Sequence, residues 1–267
     1  MTSKSNFNKF KTTMKRETTR NINLALKSNQ IFKSQADKFI DEVKNIIDNG
    51  TDEKIPQKIV VLPNEDKKFH ESVDETNLCN FPHPFRMILC GPPNTGKTNT
   101  IYNILLNTKP CFERIIIFHN DPTSKEYQNI DCDYVEELPI IDDIDENIKN
   151  LIIIEDIDYK NIKKDQKSLL DRYFGCFSTH HNISIIITSQ DSFSIPASIR
   201  RMCSHVMLWK NHDITSMNVL ASRFGLKSAD LKYIFNHICK EPRDSLLIDT
   251  TRKQRLRKNI YEVISFD

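Results

Sequence analysis

Phe85-Arg86-Met87-Ile88-Leu89-Cys90-Gly91-Pro92-Pro93-Asn94-Thr95-Gly96-Lys97-Thr98 is an apolar, strand-like run that breaks into a complete G-x-x-x-x-G-K-[ST] phosphate loop. A helix-like run from Thr98 to Leu106 follows, so the loop has the strand before it and the helix after it that a phosphate cradle requires. Backbone N–H groups of Gly91, Pro92, Pro93, Asn94, Thr95 and Gly96 (the prolines excepted) and the positive end of the helix suit a bound phosphate. Lys97 is placed to reach the β- and γ-phosphates, and the Thr98 hydroxyl to hold Mg²⁺. Only five glycines occur in 267 residues, and two of them, Gly91 and Gly96, are in this loop.

Outward from the loop, strand candidates are Arg114–Phe118, Asn150–Ile154, Ile183–Thr188, His205–Trp209, Ser245–Asp249 and Ile260–Ile264. Helical stretches separate most of the early ones, which predicts an α/β P-loop NTPase core with a mainly parallel sheet and helices on both faces. The all-apolar runs Leu151–Ile154 and Ile185–Ile187 fit strands covered on both faces. The last two strands are expected to close the sheet as an antiparallel edge. Residues 85–267 form this ATPase domain in our reading. Residues 51–84 read as a linker, and residues 1–50 as a basic arm with an amphipathic helix carrying Phe32, Ala36, Phe39, Ile40, Val43, Ile46 and Ile47.

Charge is unevenly spread. The net charge is +2, but residues 1–33 carry eight Lys/Arg against one acid, so the remainder is slightly acidic. Such an arm fits either a polyanion partner, nucleic acid first, or a solvated tail. Residues 131–148 hold eight acids and no base, a pattern of a solvated surface loop. The cluster Arg252-Lys253-Gln254-Arg255-Leu256-Arg257-Lys258 suits nucleic acid or a solvated turn equally. Seven cysteines form no C-x-x-C pair, as expected of reduced thiols in a cytosolic or nuclear compartment. The histidines show no zinc-ligand spacing. No apolar run approaches the ~20 residues of a membrane span, and no membrane partner is expected.

An NTPase also needs acids. Asn150-Leu151-Ile152-Ile153-Ile154-Glu155-Asp156 ends a strand in two adjacent carboxylates, where they can face the phosphate loop. We assign Glu155 to the metal and Asp156 to the attacking water, with the roles exchangeable. Gln190, at the end of the next strand, is placed to touch the γ-phosphate or the lytic water. Arg200 and Arg201 are candidates for a finger reaching a neighbouring subunit's γ-phosphate, with Arg172 a rival; each is equally a surface ion-pair partner. His180 and His181 read as loop donors. The stripe Leu220, Phe224, Leu231, Ile234, Phe235 and Ile238 reads as helical core.

The run Phe177-Ser178-Thr179-His180-His181-Asn182-Ile183-Ser184-Ile185-Ile186-Ile187-Thr188-Ser189-Gln190, followed by Ser194-Ile195-Pro196-Ala197-Ser198-Ile199-Arg200-Arg201, resembles the genome-packaging ATPases of large DNA viruses, virophages and Polinton-type elements, of the FtsK–HerA class. The resemblance covers roughly residues 85–250. It implies the Walker A role for Gly91–Thr98, the Walker B role for Glu155 and Asp156, and the strand-end glutamine role for Gln190. The family begins its acidic pair with aspartate, where this chain has Glu155. It further implies ATP and Mg²⁺ as cofactors, a homo-oligomeric ring (pentamer or hexamer) that moves double-stranded DNA, capsid proteins as partners, and residence in the host cytoplasm, the nucleus or the virion. The phosphate loop also resembles that of papillomavirus- and parvovirus-type helicases and of AAA+ ATPases. The former end the third strand in asparagine rather than Gln190, and the latter continue into a helical lid.

Overall fold

The computed structural model describes residues 76–119, 126–156, 159, 161–211 and 213–265. The basic arm, its helix and most of the stretch read as linker lie outside them. The end of that stretch is part of the domain: Phe81 and His83 are buried, and His83 is held between Ser184 Oγ and Asn182 Oδ1 at 2.7 Å each.

Among the described residues a single nine-stranded sheet runs in the order β3-β2-β4-β5-β1-β6-β7-β8-β9. Its strands are β1 (Arg86–Cys90), β2 (Arg114–Phe118), β3 (Asp133–Val135), β4 (Asn150–Ile154), β5 (Ile183–Ser189), β6 (His205–Trp209), β7 (Ser245–Asp249), β8 (Leu256–Lys258) and β9 (Glu262–Val263). The six strands from β3 to β6 pair in parallel, and β7, β8 and β9 add antiparallel pairs. Every residue of β4, β5 and β6 is buried, as their apolar runs require.

The pleat splits these strands between two cores. Met87, Leu89, Leu151, Ile153 and Ile186 meet Ile101 and Ile104 of α1 (Lys97–Asn107) on one face. Ile88, Ile152, Ile154, Ile185 and Ile187 face the other core. That core is covered by α2 (Lys164–Arg172) with its π-helical continuation Tyr173–Phe177, and by α3 (Ala197–Met202), α4 (Ile214–Arg223) and α5 (Ser228–His237). The stripe from Leu220 to Phe235 is buried there, as its helical spacing predicts.

Three elements differ from the sequence reading. The strand expected over Ile260–Ile264 is the two-residue β9, and it pairs with β8 rather than with β7. The acidic stretch contributes β3, an edge strand paired to β2 through Ile116↔Asp133 and Phe118↔Val135. Three residues with charged flanks suffice at an edge, where one side needs no partner strand. The C-terminal basic cluster is no solvated turn. It supplies β8, and Arg252 and Arg257 are buried against Asp249, with Arg257 Nη2 at 2.6 Å from its Oδ2. Arg257 Nη1 also donates to the Leu78 carbonyl at 2.6 Å. Two of the five cationic side chains are therefore spent inside the domain.

Candidate nucleotide site

Three strand ends meet at one edge of the sheet. The β1–β5 register sets Cys90 beside Ser189, and the β4–β5 register sets Ile154 beside Ile187. The next residues, Gly91 and Glu155, are therefore brought to the same rim, with Gly91 N donating to Ser189 O at 3.0 Å and Glu155 N to Phe118 O at 3.0 Å. This is the carboxyl edge of a parallel sheet, where such folds place ligands.

The loop's glycines have distinct reasons. A Cβ on Gly91 would stand 2.7 Å from Trp209 Cβ, so β6 can approach only a glycine there. Gly96 holds φ at 105° as it enters α1, a left-handed conformation that side chains resist. No side chain caps that helix, and its first turn carries no acid. Its free N–H groups and positive end are left for an anion. Thr95 Oγ1 braces the loop by donating to Pro92 O at 2.8 Å. Lys97 is buried and folds back into the loop, donating to Gly91 O at 3.0 Å and Pro92 O at 3.2 Å.

Opposite stand the acids. Glu155 is buried, and both of its oxygens are engaged: Tyr127 donates its phenolic proton to one, and Thr188 Oγ1 donates to the other at 2.7 Å. Burial pushes the Glu155 carboxyl above the usual carboxylate range, and the two hydrogen bonds pull back against it. Asp156 is exposed, with φ at 38°. Its backbone N–H donates to Thr188 Oγ1 at 3.0 Å, and Gln190 Nε2 donates to its Oδ2 at 3.2 Å. Thr188 thus sets both carboxylates, and Gln190 touches the exposed one.

A cavity of about 550 Å³ joins these groups; Lys97, Thr98, Glu155, Asp156 and Gln190 all line it. Two further charged residues of the lining, Glu126 and Arg243, are not among the sequence candidates. Glu126 Oε2 lies 3.4 Å from the Thr98 hydroxyl, a long contact. Tyr102 of α1 secures this segment by donating to Glu126 O at 2.9 Å and stacking on Tyr127 with ring centroids 6.0 Å apart. Neither Glu126 nor Arg243 sits in a recognisable motif.

The other candidates lie away from this cavity. Arg200 Nη1 donates to Ser192 O at 2.6 Å, Arg201 is exposed on the same helix, and Arg172 packs over the Phe177 ring at 4.5 Å. His181 Nδ1 is 3.0 Å from Glu146, and His180 is exposed on the surface.

The donor set suits a hard divalent cation: a hydroxyl from Thr98 and carboxylates from Glu126, Glu155 and Asp156. Among the described residues no three His, Cys, Asp or Glu side chains converge into a complete metal cage. Mg²⁺ does not require one, since it binds through one or two carboxylates together with substrate phosphates and water.

No protein-family model matches the chain, and no curated protein sequence does. Solved structures do. B204, the DNA-packaging ATPase of Sulfolobus turreted icosahedral virus, aligns over 68% of this chain and 100% of its own at 12% identity with a TM-score of 0.50. The genome-packaging NTPase B204 of Sulfolobus turreted icosahedral virus 2, in complex with AMP, aligns over 68% of this chain and 98% of its own at 13% identity with a TM-score of 0.50. The fold is that of a P-loop NTPase. At such identity the likeness is one of architecture, and the chemistry has to be argued from the residues in the cavity.

Proposed function

We propose that this protein hydrolyses ATP and uses the energy to move double-stranded DNA into a viral capsid, working as a homo-oligomeric ring. The observation that carries the hydrolytic part is the convergence of Lys97, Thr98, Glu155, Asp156 and Gln190 on one cavity at the carboxyl edge of the sheet. Each plays a defined part. The loop N–H groups and the α1 dipole hold the phosphates. Lys97 exchanges its two carbonyl acceptors for phosphate oxygens when nucleotide enters. Asp156, exposed and held by Gln190, orients the attacking water and accepts its proton. Thr98, Glu126 and Glu155 are the residues that would hold Mg²⁺, which supplies charge neutralisation across the β- and γ-phosphates.

Gln190 couples this chemistry to movement. Its amide is bonded to Asp156 and follows β5 directly, so loss of the γ-phosphate changes the hydrogen bonding at the end of a central strand. The DNA-packaging part rests on the motif resemblance and is supported by the shared architecture with B204. A ring partner would supply the finger arginine, and capsid proteins would receive the ring, in the host cytoplasm, the nucleus or the virion. Gln190, where the helicases that share the loop carry asparagine, supports the motor reading over a helicase one.

The test is ATP turnover measured with no DNA, with single-stranded DNA and with double-stranded DNA, alongside a strand-separation assay and sizing in nucleotide. Stimulation by double-stranded DNA without unwinding, in a ring-sized species, is the expected result. Unwinding would make the protein a helicase, and turnover indifferent to every DNA would remove DNA from the proposal.

A further inference from the structure

An arginine face lies on the two helices that follow β5 and β6. α3 carries Arg200 and Arg201, and Arg223 closes α4. Burial pushes the Arg200 guanidinium below the usual arginine range, and repulsion from Arg223 and Arg201 adds to the shift, so the three stand together. Arg201 and Arg223 are exposed, none of the three makes an ion pair among the described residues, and Arg200 Nε is buried with no hydrogen-bond partner. Arg200 Nη1 holds the Ser192 carbonyl at 2.6 Å, which sets Phe193, 52% exposed, beside the cluster.

The opposite charge is collected at the β3 edge of the same chain, in residues 131–148. This stretch is anchored from below. Leu138 and Ile144 are buried in the core, Tyr173 donates its hydroxyl to Pro139 O at 2.9 Å, and Arg114 Nη1 donates to Asp143 O at 2.8 Å. Asp133, Glu137 and Glu146 have basic partners in Arg114, Lys163 and His181. Asp131, Glu136, Asp142, Asp143 and Asp145 are exposed and make no ion pair among the described residues. Ile140 stands among them, 58% exposed. Each surface thus joins uncompensated charge of one sign to an exposed apolar side chain.

The two surfaces do not reach each other within one chain. Met217 and Leu220 of α4 pack in one core with Val206 and Leu208 of β6. β6 stands five positions from β3 in the sheet, about 24 Å at the usual strand spacing. Charges at the surface are screened over about 8 Å at physiological ionic strength, so neither surface neutralises the other across the sheet. Two copies bring them together. Different patches on identical chains join head to tail, and such contacts close into a ring when the rotation permits. The acidic edge also lies near the hydrolytic acids: β4, which Glu155 and Asp156 follow, is two positions from β3.

We propose that the acidic β3 edge of one copy docks the face formed by Arg200, Arg201 and Arg223 of the next, with Ile140 and Phe193 at the contact. This rests on the reading of the protein as a homo-oligomeric ring and names the surfaces that build it.

The test is a charge exchange. Sedimentation velocity in Mg²⁺ and a non-hydrolysable ATP analogue, over a range of protein and salt concentrations, compares four proteins: the parent, Arg201→Glu/Arg223→Glu, Glu136→Lys/Asp142→Lys, and one chain with all four changes. Binding of double-stranded DNA is measured on the same proteins, and thermal unfolding verifies that each is folded. The parent should assemble, and less readily as salt rises. Each double reversal sets like charges against each other and should raise the concentration needed for assembly at least about a hundredfold. The chain with all four changes has both signs exchanged and should assemble near the parent's concentration, a rescue that damage to the fold would not give. Double reversals that assemble like the parent overturn the interface and leave the ring reading standing; loss of DNA by the arginine pair would then assign that face to DNA. Loss of assembly with the acidic pair alone would give that edge to another cation, the basic N-terminal arm first, and would likewise overturn the pairing, as would a folded four-change chain that stays apart. A parent that is monomeric throughout overturns the ring and the interface together.

Discussion

Lys97 Nζ donates to the Gly91 carbonyl at 3.0 Å, closing the phosphate loop on itself. In the proposed ATP complex the ammonium exchanges these protein oxygens for phosphate oxygens. Lys97→Ala removes the principal cation of the site. Loss of one preorganised charge-stabilising group costs on the order of 10²–10³ in rate. Steady-state ATP turnover of Lys97→Ala is expected to fall by at least that factor; turnover at the parent's rate would mean that the loop is not where ATP is cleaved.

Three carboxylates line the same cavity, and their surroundings divide their work. Asp156→Asn keeps the cradle and removes the water's base, so it should bind Mg·ATP and trap it without turnover. Glu126 is the carboxylate nearest the Thr98 hydroxyl, while both oxygens of Glu155 accept internal hydrogen bonds. Glu126→Gln should therefore raise the Mn²⁺ concentration needed for half-occupancy, read by electron paramagnetic resonance with ATP present, more than Glu155→Gln does. The reverse order would give the metal to Glu155, and trapping by Glu155→Gln in place of Asp156→Asn would exchange the two Walker B roles.

Tyr127 and Glu155 together define a pH dependence. Burial raises the Glu155 carboxyl, and the Tyr127 hydrogen bond lowers it again by favouring the ionised form. Ionised Glu155 is lost as pH falls through its native value, which lies above that of an ordinary glutamate. Tyr127→Phe keeps the ring stacked on Tyr102 but deletes the donor, so the native value rises further. The acid limb of the ATPase pH profile should move to higher pH in Tyr127→Phe. An unmoved limb would show that ionisation of Glu155 does not govern the rate.

Most of the frame of this site was legible in sequence because it is written in local patterns. Loop, helix and strand are contiguous from Phe85 to Leu106, and six strands follow from apolar runs: β2, β4, β6 and β7 as observed, and β1 and β5 to within a residue. What escaped is non-local. Glu126 and Arg243 reach the cavity from segments without a motif, placed by tertiary packing alone. Arg252 and Arg257 belong to the same basic run as their exposed neighbours Lys253 and Arg255, and nothing in that run sets them apart. The β7–β8 register sets Arg257 opposite Leu247, two residues from Asp249, and Arg252 reaches the same buried acid from the segment between the two strands.

That acid is the basis of a stability test. Burial would raise the Asp249 carboxyl, but hydrogen bonds from His205 and Thr251 outweigh it and hold the group well below the usual range. A depressed carboxylate contributes stability that is complete above its unfolded value, about 3.9, and is lost as pH falls through the native one. Asp249→Asn strands Arg252 and Arg257 without their counter-charge, which costs about 3–5 kcal/mol for a broken buried pair. Urea unfolding at pH 7 should show that loss, and the gap to the parent should close as the pH is taken below about 4. A gap independent of pH would mean that the asparagine is tolerated or resisted for its shape and not for its charge.

Arg243 and Arg200 should behave oppositely in mixed assemblies. Arg243 lines the same cavity as Lys97 of its own chain, so a part in the proposed hydrolysis would be played in cis with Lys97. Arg200 and Arg201 lie outside it, and a catalytic part for them requires the neighbouring subunit's γ-phosphate, where a finger arginine is worth about 10³–10⁵ in rate. In a ring mixing Lys97→Ala with an Arg200→Ala/Arg201→Ala double variant, an interface between the two kinds places an intact Lys97 opposite an intact finger, and turnover should return. In a ring mixing Lys97→Ala with Arg243→Ala, every site keeps one defect, and turnover should stay lost at all ratios. Co-assembly is verified by co-purification on two tags. Recovery in the Arg243 mixture would make that residue the finger; no recovery with Arg200 and Arg201 would return both to the protein surface.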